Sequence, residues 1–86
     1  MLLNSNQYEF FFKGNVMRQW GEYGEALELF KTSLRIKTER LGNDHEDVAN
    51  TLHNIAVILD ETNKHRLALD CYKEVCTRCY SIYLLN

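Results

Sequence analysis

Shifting the chain by 42 residues against itself lays like residues on like. Gly14 falls on Ala56, Val16 on Ile58, Met17 on Leu59, Glu22 on Lys64 and Tyr23 on His65. Ala26 falls on Ala68, Leu27 on Leu69, Phe30 on Tyr72 and Lys31 on Lys73. Small positions stay small and aromatic positions stay aromatic. A chain with an internal period in the range of about 20–50 residues is built from one supersecondary unit used repeatedly, each copy burying its apolar face against the next. This constrains the fold more than any single motif does.

The unit is a helical hairpin. In the second copy Leu52, Ile55, Ala56 and Leu59 lie at i, i+3, i+4 and i+7, one apolar stripe of an α-helix. Leu67, Ala68, Tyr72, Val75, Cys76 and Cys79 continue on a second helix after the polar "DETNKH". The pattern predicts four helices, at about Asn4–Trp20, Gly24–Leu41, Asp44–Glu61 and Lys64–Tyr80. Repeat 1 then covers about 7–41, the inter-repeat turn 42–44 and repeat 2 about 45–80, with an apolar tail at 81–86. In the turn, Gly42 suits a left-handed C-cap, and Asn43 or Asp44 suits an N-cap; Asn43 and Glu46 have capping-box spacing. Gly14 and Ala26 are small so that the two helices of a hairpin approach closely, with Phe30 filling the groove this leaves. Gly21 permits the tight turn over which Tyr23 packs. The chain has no proline and four glycines, so little interrupts long helices, and strand-like alternation is absent.

At these residues the chain resembles the tetratricopeptide repeat family. Gly14, Gly21, Tyr23, Ala26 and Phe30 match its small, turn and aromatic positions. The longer period and "LGNDHEDVANTLHNIAVIL" (Leu41 to Leu59) resemble the kinesin-light-chain type, whose connecting signature reads Leu-Gly-x-Asp-His-Pro-x-Val-Ala-x-Thr-Leu-x-Asn-Leu-Ala. Glu46 stands where that type has proline, Lys13 occupies a normally apolar site, and Asn63 and His65 replace the turn Gly and Tyr. The resemblance implies an all-α solenoid of two antiparallel hairpins. About three repeats are generally needed for stability, so either the chain belongs to a longer array or a second copy covers its open face.

The resemblance also implies a protein or peptide partner, held on the concave side lined by the first helix of each hairpin. Helix residues not used in hairpin packing are then the contact candidates: Tyr8, Phe11, Asn15, Arg18 and Gln19 in the first copy. In the second they are Asn50, His53, Asn54 and Val57, with Asp60 and Glu61 at the helix end. Asn and Arg can bond a peptide backbone or carboxylate while aromatic rings supply contact area. Some family members clamp a terminal carboxylate with a lysine and two asparagines. Asn15 and Asn54 match the asparagines, but Phe11 holds the lysine site, so binding of chaperone tails is not expected.

Other function classes find little support. The net charge of −2 and pI near 5.9 leave no electrostatic footprint for nucleic acid or anionic membrane. No apolar run approaches the roughly 20 residues that span a bilayer, and the start lacks a secretory pattern. Three cysteines, an odd number without disulfide-framework spacing, suggest a reducing compartment, the cytoplasm. Cys76 and Cys79 form a C-x-x-C with Cys71 and His65 on the same helix, and zinc or redox chemistry built on them is the least favoured function class. The motif lies late in a helix, where a thiol gains nothing from a helix N-terminus, and a fourth zinc ligand is lacking. Cys76 falls on Leu34, a core position, so a core or incidental cysteine is expected. No catalytic residue, metal or cofactor is expected, because nothing pairs a nucleophile with a base.

Overall fold

The computed structural model describes the backbone of residues 2–85 and the side chains of residues 9–78. Four helices account for it: α1 (Leu2–Gln19), α2 (Tyr23–Leu41), α3 (Glu46–Glu61) and α4 (His65–Leu85). Among the described residues there is no strand. The main packings run in order, α1 on α2, α2 on α3 and α3 on α4, giving two hairpins laid side by side. The envelope is a slab, 36 × 35 × 15 Å.

The 42-residue repeat is reproduced bond for bond at the two hairpin turns. The Glu22 N–H donates to Met17 O at 2.8 Å and the Gly21 N–H to Arg18 O at 3.0 Å. In the second hairpin the Lys64 N–H donates to Leu59 O at 2.8 Å and the Asn63 N–H to Asp60 O at 3.1 Å. Each pair is the Schellman ending of a helix, with a left-handed residue satisfying carbonyls that the last turn leaves open. Gly21 takes φ +83° there, and Asn63 takes φ +67°. Asparagine replaces glycine without altering the turn because it is among the few side chains that tolerate this region.

Three boundaries depart from the sequence expectation. The N-cap of α3 is His45, whose Nδ1 accepts from the Asp47 N–H at 3.0 Å, in place of Asn43 or Asp44. Gly42 has φ +87° with ψ 169°, a glycine-only conformation in place of the left-handed cap, and the next helix starts later, at Glu46. Helix α4 runs to Leu85, past Tyr80 and through the segment expected as a tail, because no glycine or proline follows Lys64. The first acidic turn of α3, Glu46 and Asp47, complements the helix dipole.

The core sits where α2 and α3 meet, and α3 carries most of its buried residues. Val48, Ala49, Thr51, Leu52, Ile55, Ala56 and Ile58 are all buried there. Ala26, Phe30, Ile55 and Ile58 form its centre, with Tyr23, Leu27, Leu34, Met17 and Leu59 packed around them. Gly14 lets this happen: a Cβ at that position would meet the Phe30 ring at 2.9 Å. Phe11 meets the same ring edge-on, centroids 5.7 Å apart.

Candidate functional site

The first helices of the two hairpins, α1 and α3, present one layer, and a polar contact joins them: Arg18 Nη1 lies 4.0 Å from Glu61 Oε1. At that distance the ion pair is loose, and Arg18 Nε is buried without a hydrogen-bond partner among the described residues. The accessible Nη groups, held only by this loose contact, are the donors open to a carboxylate or carbonyl supplied from outside. Along α1, positions 8, 12, 15 and 19 follow one helical stripe. The matching stripe on α3 is Asn50, Asn54, Val57 and Glu61.

The sequence candidates are disposed unequally over this layer. Gln19, Asn50 and His53 are exposed; Asn15, Arg18, Asn54 and Val57 are half-buried. The Tyr8 side chain lies outside the described residues. Among the described residues the Asn54 amide has no hydrogen bond, whereas Asn15 Nδ2 donates to Phe11 O at 3.2 Å within its own helix. Phe11 is turned toward α2, between the Phe30 ring and the Lys37 ammonium, which sits 4.0 Å from its centroid. His53 repeats that arrangement one unit later, its ring 5.7 Å from Tyr72. These two side chains therefore contact the hairpin seam as well as the outer layer. Asp60 is drawn away, its Oδ1 2.6 Å from His65 Nδ1.

Phe12 was not among the candidates and is 70% exposed on the α1 stripe, between positions 8 and 15. Its signal lay in the run "FFF" (Phe10 to Phe12): a helix turning about 100° per residue cannot bury three successive rings on one side. Trp20, 71% exposed, stands at the end of the same helix.

A family model, described as tetratricopeptide repeat, matches residues 10–81. The chain belongs to the tetratricopeptide repeat family. That assignment and the two stacked hairpins agree, and it places the chain among protein–protein interaction modules, which are generally non-catalytic scaffolds. No significant match to the chain is found among curated proteins or among solved structures.

Two titratable groups are displaced from their ordinary values. Burial pushes the Cys71 thiol up, and the neighbouring Asp70 and Glu74 charges add to this, so the thiolate is disfavoured. Cys76 is exposed, so of the core and incidental alternatives its match to Leu34 left open, the core one does not hold. The position is covered by α3 in the first hairpin and by no described helix in the second. The Cys79 side chain lies outside the described residues. Burial also lowers Lys37, while Asp47 pulls it partly back. Lys37 donates to Thr51 Oγ1 at 3.2 Å across the α2–α3 interface, so this cation is spent on joining the hairpins. Among the described residues no helix is long and apolar enough to cross a membrane.

Proposed function

We propose that the chain is a binding module that holds an extended peptide or partner protein along the α1–α3 layer. The observation that carries this reading is Phe12, 70% exposed on the same α1 stripe as Asn15 and Gln19. Exposed aromatics flanked by amides and a guanidinium supply contact area and orientation together. Arg18 orients a carboxylate or carbonyl, with Glu61 as its resting partner. Asn15, Gln19, Asn50 and Asn54 bond the ligand backbone; Tyr8, Phe11, His53 and Val57 flank it. The connecting signature supports the kinesin-light-chain-like branch as the finer assignment, and the free thiols of Cys71 and Cys76 suit a cytoplasmic setting.

The test is affinity capture with the intact chain, followed by binding measurements with Arg18→Ala, His53→Ala and Phe12→Ser. Recovered partners should bind Arg18→Ala and Phe12→Ser about tenfold more weakly, a loss of about 1.4 kcal/mol, with helix content unchanged. Equal binding by all three variants would move the site off this layer.

A further inference from the structure

We propose that the outer face of α4 pairs with the same face of a second copy of this chain, forming a two-fold dimer. The inference does not depend on the α1–α3 layer. It starts from the repeat register. On α2 the stripe Tyr23, Leu27, Phe30 and Leu34 packs into the core that α3 completes with Ile55 and Ile58. Forty-two residues on, α4 carries His65, Leu69, Tyr72 and Cys76 at the same positions. Leu69 is 53% exposed, Cys76 is exposed and Tyr72 is half-buried, its ring fixed from the inner side by His53. The face is thus a continuation of the α2–α3 interface, presented to solvent.

The corresponding face of α1 decides the symmetry. The residues of α3 that meet α2 are Thr51, Ile55 and Ile58, all buried. Their counterparts on α1 are Glu9, Lys13 and Val16, and Glu9 Oε2 pairs with Lys13 Nζ at 2.9 Å, both side chains about half exposed. Stacking α1 of one copy on α4 of another would take that ion pair out of water against Leu69 and Tyr72, a cost its mutual attraction does not recover. Like-on-like pairing centred on Leu69, Tyr72 and Cys76 sets these side chains against their own copies and closes after two, leaving His65 with Asp60 and the Glu9–Lys13 pair in solvent. An interface of one helix face per copy falls in the small class, below about 1,200 Å² in total, so the dimer is weak and depends on concentration.

Sedimentation of the 86-residue chain, from low micromolar to near millimolar concentration, tests this. A monomer–dimer equilibrium is expected, with Leu69→Glu and Cys76→Glu each shifting dissociation at least tenfold at unchanged helicity. With Cys71 and Cys79 replaced by Ser, a short bis-maleimide should join Cys76 to Cys76, and Leu69→Glu should prevent it. Lys13→Leu should leave the dimer intact and add larger species as the α1 face becomes apolar. A wild-type chain that stays monomeric throughout overturns the proposal and assigns the face to a different helix. Dimers that persist in both glutamate variants overturn it equally.

Discussion

The two hairpins share their turns, their small residues and their ring pairs, yet they differ in what covers them. Phe30 is fully buried, while Tyr72, its counterpart, is half-buried. Leu34 is packed against the core, while Cys76 is exposed. The residues changed little between the copies, but the neighbours changed a great deal: α2 has α3 beyond it, and no described helix lies beyond α4. In a repeat stack, burial belongs to the interface between units as much as to the unit itself. The polar drift from Tyr23 to His65, Phe30 to Tyr72 and Leu34 to Cys76 follows that exposure.

Substitutions at paired positions would break or sharpen this contrast. The largest difference is expected at the rings: Phe30→Ala should cost about 3–5 kcal/mol, and Tyr72→Ala roughly half of that, read by urea unfolding. Equal losses would mean that the hairpins are equivalent in burial after all. Next comes Gly14→Ala, where the new Cβ would press on the Phe30 ring at 2.9 Å. It should cost about 1–3 kcal/mol by overpacking. The reverse change in the second hairpin, Ala56→Gly, should cost about 1 kcal/mol through helix propensity.

Lys37 gives a smaller effect with a pH signature. Lys37→Met should stabilise the fold by about 1 kcal/mol at neutral pH, since an apolar chain replaces a desolvated cation. Its folded value lies below the ordinary 10.5, so the unfolded chain binds more protons in the window between them. Wild-type stability should therefore rise relative to the variant as pH climbs through that window, and the gap should narrow. A gap that widens toward alkaline pH would show that the cation contributes net stability. Smallest is the turn pair: Gly21→Ala should cost about 1 kcal/mol and Asn63→Gly should gain a few tenths, measured by thermal unfolding.

Much of the fold was legible because repetition duplicates the signal. Leu52, Ile55, Ala56 and Leu59 fixed one helix face, and the shift by 42 residues carried that face to the weaker first copy. Local chemistry alone misled at the second turn, where Asn43 and Asp44 read as caps and His45 took the role. Several residues there can accept the same N–H, and only the backbone path out of Gly42 chooses among them. The candidate layer was legible as a stripe but not residue by residue. Phe11 and His53 lie on the border between outer layer and hairpin seam, and a one-dimensional spacing cannot say toward which a ring turns. Cys76 shows the same limit, since its match to Leu34 holds in register while its environment depends on what packs beyond α4.

The claim beneath all of this is that α3 lies between α2 and α4, with the hairpins side by side. Nuclear Overhauser contacts from the Phe30 ring to the Ile55 and Ile58 methyls test it most directly. Strong contacts to both, together with Phe11 to Phe30 and His53 to Tyr72, are the predicted result. Strong contacts joining α1 to α4 in their place, as in a four-helix bundle closed on itself, would contradict it.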